Sequence, residues 1–288
     1  MRSRWSGARR MALVFISLLA GTVMTVRTLS RRFIFPAWRV TTPAAPIGFL
    51  VRIARARDGQ PVRILELPGD AGARVVVHLH ANRETAEHNA PLAHALHGAG
   101  FGVLLVEYRG YGRSSGSEPS EDGLYADAEA ALDLLARRGV RREQIVLWGA
   151  SLGTGVASEM ARRGRAGALV LLAPFTAIPD VIAAAAPYLP AGWLVQDTFD
   201  TLSRATLIRV PTLVVHGDAD AIVPFAMGMA LSRTIRNANL LRVPGGGHGD
   251  LMERAGLEII AAVLRLGAPH AARSSRSSLV PASPRSHG

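Results

Sequence analysis

A serine hydroxyl is a weak nucleophile until a base takes its proton, and the base needs an acid to fix its tautomer and steady its charged form. Residues suited to all three roles occur along this chain. Ser151 lies in Gly149-Ala150-Ser151-Leu152-Gly153, after the apolar run IVLW and before a helical stretch. In a strand–turn–helix elbow, glycines are needed where side chains would meet adjacent strands, and the serine is lifted to the tip of the turn. A helix starting just behind it would aim the Leu152 N–H at a developing oxyanion, with the helix dipole favouring negative charge.

The base is read as His248, in Gly245-Gly246-Gly247-His248-Gly249-Asp250, a loop too rich in glycine to be a core position. His78, His80 and His216 fall in or at the ends of strand-like runs, His88, His94 and His97 on a helical stretch, and His270 and His287 in the C-terminal tail. These eight read as structural or solvated. For the acid, Asp218, Asp220 and Asp250 are all near enough in sequence to serve. Asp220 is preferred because it lies deepest in the loop after TLVVHGD, whereas Asp218 suits a turn cap and Asp250 a helix N-cap. A second oxyanion donor is expected from the loop His80-Ala81-Asn82-Arg83, as the backbone N–H of Asn82. Arg109, in Tyr108-Arg109-Gly110-Tyr111-Gly112-Arg113-Ser114, reads as an internal ion-pair partner within a compact turn.

Short β-branched runs alternate with longer alanine-rich stretches, the pattern of a parallel sheet with crossover helices. PVRILEL (61–67), RVVVHLH (74–80), GVLLVEY (102–108), QIVLWGA (144–150), ALVLLAP (168–174), TLVVHGD (212–218) and NLLRVPG (239–245) read as strands. Several are apolar on both faces, as buried parallel strands are. Helices are expected near 86–98, 121–138, 152–163, 224–236 and 250–266. The segment 175–206, with Pro179, Pro187, Pro190 and Trp193, is long enough to be a small lid or simply a decorated crossover.

The 288 residues suffice for one large domain with appendages. Cysteine is absent, which excludes disulfides, zinc–thiolate sites and a cysteine nucleophile. The formal charge of +11 resides in the ends: residues 1–39 hold eight arginines and the tail 268–288 three, with no acid in either. The body, 40–267, is formally neutral, so a nucleic-acid groove is not expected. Residues 11–26 form an uncharged, mostly apolar run flanked by Arg2, Arg4, Arg9 and Arg10 and by Arg27, Arg31 and Arg32. This reads as a single-pass signal-anchor with the catalytic domain extracytoplasmic, a cleaved signal peptide and a buried or peripheral helix being the other readings. The tail, rich in Ser, Pro and Arg, is expected to be disordered.

From about residue 75 to 267 the chain resembles the α/β-hydrolase superfamily, in the subgroup of BEM46-like and ABHD13/ABHD17-like serine hydrolases. The resemblance rests on EYRGYGRSSGSEPSEDGLYADAEAAL, GASLGTGVA, PFTAIPD, HGDADAIVP and GGGHGD, found in that order. It implies an α/β-hydrolase fold, a mostly parallel central sheet with flanking helices and a small lid insertion. The family's nucleophile, acid and base fall on Ser151, Asp220 and His248. Ala81 and Arg83 depart from the family's usual glycine-asparagine oxyanion loop. The expected activity is hydrolysis of a carboxylic ester or thioester through an acyl-serine, with no metal or organic cofactor and a small-molecule or lipid-like acyl ester as substrate. A peptide or amide hydrolase with the same triad, and a non-catalytic membrane-associated binding protein of the same fold, are the alternatives.

Overall fold

Apolar runs that bury both faces must lie inside a sheet covered on two sides, and that is where these run. The computed structural model describes residues 11, 13–15, 17, 21–22, 24–25, 30–32, 34–114 and 117–266. Among them, β1 (Leu50–Arg55), β2 (Pro61–Leu67), β3 (Val75–Leu79), β4 (Gly102–Glu107), β5 (Ile145–Ala150), β6 (Ala168–Leu172), β7 (Thr212–Gly217) and β8 (Ala238–Val243) form one sheet in the order β1-β2-β4-β3-β5-β6-β7-β8. The pairings β1–β2 and β2–β4 are antiparallel, and all others are parallel. β4, β6 and β7 are buried along their whole length. β1 is an edge strand in which Arg55 is exposed and the half-buried Arg52 pairs with Glu66 at 2.6 Å. Its weak apolar signal is the reason the seven strands legible in the sequence begin only with β2.

The described residues form six longer helices, α1 (Ala90–Gly98), α2 (Glu121–Arg137), α3 (Leu152–Arg162), α4 (Ile178–Ala185), α5 (Phe225–Thr234) and α6 (Leu251–Arg265), and all but α4 pack on the sheet. α2 begins where Ser120 accepts the Gly123 N–H at 3.2 Å, with Glu121 and Asp122 in the first turn opposite the helix dipole. One apolar layer packs α2 and α3 on one face through Leu124, Leu132, Val156 and Met160. The other packs α1 and α6 on the opposite face through Leu96, Trp148, Leu251, Ile259 and Val263. The mostly parallel sheet with crossover helices expected from the alternating runs is therefore present, as the resemblance to α/β-hydrolases implied. The segment 175–206 holds α4 and two single turns, Ala191–Leu194 and Thr201–Arg204.

The single-pass anchor expected at 11–26 is corrected here, and with it the membrane partner and the extracytoplasmic placement that depended on it. No helix formed by the described residues is long and apolar enough to cross a membrane. The physical reason is length: sixteen residues rise about 24 Å, against about 30 Å of bilayer hydrocarbon. Beyond the run, the chain docks on the domain. Arg31 pairs with Asp197 at 2.8 Å, Ile34 and Phe35 are buried, and the Phe35 ring meets Phe199 edge-on. Residues 1–10 and part of the run itself lie outside the described residues, as does the tail 268–288 expected to be disordered.

Candidate active site

Ser151 links the C-terminal end of β5 to α3 and is one of three non-glycine residues with positive φ among those described, at φ 47° and ψ −114°. Such a backbone costs on the order of 1–3 kcal/mol and persists only when its surroundings impose it. Two glycines make it possible. A Cβ on Gly149 would collide with the Gly153 carbonyl, and one on Gly153 with the carbonyl of Leu79 in β3. The Ser151 N–H also donates to the Leu172 carbonyl at 2.9 Å, tying the turn to β6.

The histidine and acid come from adjacent loops, after β8 and β7. These loops are pressed together where a Cβ on Gly217 would strike the Gly246 carbonyl. The Ala219 N–H donates to that same carbonyl at 3.0 Å. The clamp brings His248 Nδ1 to 2.8 Å from Asp220 Oδ2, and His248 Nε2 to 2.9 Å from Ser151 Oγ. The other two carboxylates point elsewhere. Asp218 pairs with Arg242 and accepts the Gly245 N–H, while Asp250 pairs with Arg254 and accepts the Gly247 N–H. Asp250 stands at the N-cap position of α6, but its side chain makes no capping bond there.

Asp220 is saturated with donors. Oδ1 accepts the N–H groups of Ile222 and Val223, each at 2.9 Å. Oδ2 faces both His248 and the buried His216, whose Nε2 is 3.3 Å away. Burial pushes the Asp220 carboxyl up, but hydrogen bonds from His216, His248 and the Val223 amide outweigh it and hold the carboxyl far below its ordinary value. His216 Nε2 also lies 3.0 Å from the Val223 carbonyl, an acceptor only, which fixes the proton on that nitrogen. The Nδ1 side of the ring packs against Gly228 of α5, where a Cβ would not fit. Sequence reading took His216 as a structural strand end. The only signal that could have found it was its i, i+4 spacing from Asp220.

The proposed oxyanion donors sit at the start of α3 and after β3. Leu152 is the first residue of α3, and neither its N–H nor that of Asn82 has an acceptor among the described residues. Tyr111 donates to Asn82 Oδ1 at 2.8 Å, and the Glu84 carboxylate accepts the Ala81 N–H at 3.3 Å. His80, beneath this loop, is buried against the rings of Tyr108 and Tyr111. Burial pushes it down to about 4, so it is neutral near pH 7. Arg109 forms a buried ion pair with Asp127 at 2.7 Å and a second with Asp58 at 2.5 Å, so its role is to hold the turn after β4.

A cavity of about 140 Å³ opens beside Ser151 and His248, lined by β3, β5, α1 and the start of α6. The segment 175–206 contributes no residue to it.

A family model described as serine aminopeptidase, S33, matches residues 71–198, and one described as TAP-like protein matches 183–272. An uncharacterized protein of Mycobacterium tuberculosis is 35% identical over 248 residues, 83% of this chain and 87% of that protein. Alpha/beta hydrolase domain-containing protein 17B of Homo sapiens is 37% identical over 156 residues, 52% of this chain and 51% of that protein. Among solved structures, the esterase Pf2001 of Pyrococcus furiosus superposes with a TM-score of 0.67 at 19% identity, covering 80% of this chain and 98% of its own. Est1E of Butyrivibrio proteoclasticus, solved with ferulic acid bound, gives 0.63 at 18% identity over 75% of this chain and 98% of its own.

Proposed function

Since this chain belongs to the α/β-hydrolase family, we propose that it hydrolyses a carboxylic ester or thioester with Ser151 as nucleophile, His248 as base and Asp220 as the acid that orients His248. The observation that carries this reading is the unbroken hydrogen-bonded line from Asp220 through His248 to Ser151 Oγ, at 2.8 and 2.9 Å. As Ser151 Oγ bonds to the acyl carbon, its proton passes to His248 Nε2, and the imidazolium is steadied by the Asp220 carboxylate. The oxyanion that forms is met by the N–H groups of Leu152 and Asn82. Collapse breaks the bond to the leaving oxygen or sulfur, which takes the proton from His248. Water then repeats the sequence on the acyl-serine, releasing the carboxylic acid and restoring the hydroxyl.

Only a serine so activated reacts readily with a fluorophosphonate. A fluorophosphonate probe is expected to label the wild type once, at Ser151 by peptide mapping, and not to label Ser151→Ala. Equal labelling of both would remove Ser151 from the mechanism. A retained fold without catalysis would show no labelling of either.

A further inference from the structure

His78 and Trp148 face each other in register across β3 and β5, so their side chains emerge on the same face of the sheet. Both are essentially inaccessible to solvent, at 1% and 0% exposure, and both line the cavity beside Ser151. Neither nitrogen of the His78 ring nor the Trp148 indole nitrogen has a hydrogen-bond partner among the described residues. Three buried polar atoms without partners are costly in a core otherwise packed with Val76, Leu105 and Val146.

The same cavity is lined by Glu84 and Asn89, which are hydrogen-bonded to one another at 3.1 Å. Burial pushes His78 down to about 4, partly offset by Glu84, so near pH 7 its ring is neutral and offers one donor and one acceptor. Trp148 supplies a donor only, and the Glu84 carboxylate an acceptor only. A group that both donates and accepts matches this set, and the simplest is a hydroxyl. About 140 Å³ holds about four or five water-sized groups, which suits a short chain. The acyl group stays bonded to the serine through both chemical steps while the leaving group departs after the first. A cavity at the nucleophile therefore suits the acyl side of the substrate.

We infer that the cavity bounded by His78, Trp148, Glu84 and Asn89 is the acyl pocket, and that it selects short acyl groups bearing a hydroxyl. The inference rests on Ser151 being the nucleophile. The orphaned nitrogens then gain a partner from the substrate hydroxyl in the complex.

The test compares 4-nitrophenyl 3-hydroxybutanoate with 4-nitrophenyl 3-methylbutanoate, which exchange a hydroxyl for a methyl at constant shape, each corrected for its rate in buffer. Wild-type kcat/KM is expected to favour the hydroxy ester at least about tenfold, the scale of a hydrogen bond whose absence strands a buried partner. Trp148→Phe and His78→Phe, each checked for folding by circular dichroism, are expected to bring that ratio towards one. A wild-type ratio near one, a ratio unchanged in both folded variants, or a preference for octanoyl over butanoyl esters would overturn the pocket assignment while Ser151 labelling stood. Absence of fluorophosphonate labelling at Ser151 would instead remove the nucleophile, and the acyl pocket with it.

Discussion

The carboxylate of Asp220 takes four N–H donors in the free protein, two from backbone amides and two from imidazoles, and it therefore remains an anion fixed in one orientation. An asparagine there would keep the shape but place an NH₂ group where acceptors are needed, leaving His248 in the wrong tautomer. Asp220→Asn is expected to lower kcat for a 4-nitrophenyl ester by about four orders of magnitude. Asp218→Asn and Asp250→Asn, whose carboxylates bond to Arg242 and Arg254 instead, should stay within about tenfold of wild type. Steady-state rates of the three variants, with melting temperatures to check folding, decide the matter, and near-normal turnover by Asp220→Asn would exclude it as the orienting acid.

At the scale of elements, the position of Ser151 depends on how closely α3 approaches β3. Gly153 allows that approach, since any Cβ there would overlap the Leu79 carbonyl, a backbone atom that cannot swing aside. Gly153→Ala is expected to cost about 1–3 kcal/mol, towards the upper end because the obstruction is backbone, read as a lower urea midpoint. The same displacement should slow fluorophosphonate labelling by moving Ser151 from His248; an unchanged midpoint and labelling rate would show the contact to be relaxed without cost. A second close approach lies under the turn after β4. Buried Arg63 of β2 bridges Glu87 at 2.8 Å and Glu107 at 2.9 Å, with Gly112 packed directly on the Glu107 carboxylate. Together with Arg109 and Asp127, these charges brace the loop whose Tyr111 holds Asn82.

Across the whole molecule, burial of ionisable groups sets the response to pH. His78 and His80 are both pushed from an ordinary 6.5 to about 4, chiefly by burial, so the unfolded chain binds protons at these sites before the folded one does. Their neutral burial costs nothing above about pH 6.5, and stability is lost as pH falls from there towards 4. Asp220 acts in the same direction at lower pH: its lowered value stabilises the fold above the ordinary carboxylate range, and that contribution is lost only in stronger acid. The melting temperature is expected to be level above pH 7 and to fall between pH 6.5 and 4.5, with a shallower fall in His80→Phe. A melting temperature that rises on acidification through that interval would contradict the assignment of both rings as neutral.

Strand and helix order, the serine turn and the glycine-rich histidine loop were all legible in the sequence, because each is dictated by local features: apolar periodicity, and glycines where the backbone must turn or pass close. β1 escaped notice because Arg52 and Arg55 interrupt its apolar residues, so LVRIAR does not read as an apolar run. The apolar run at 11–26 misled because hydropathy records composition, whereas crossing a bilayer demands length. What only the tertiary structure decided depends on chains far apart in sequence coming together. Which of three aspartates reaches His248 follows from two loops clamped at Gly217 and Gly246, and the second imidazole on Asp220 follows from the turn of β7 into its loop. The polar lining of the cavity likewise arises where β3 pairs with β5, a register that no local pattern in either strand encodes.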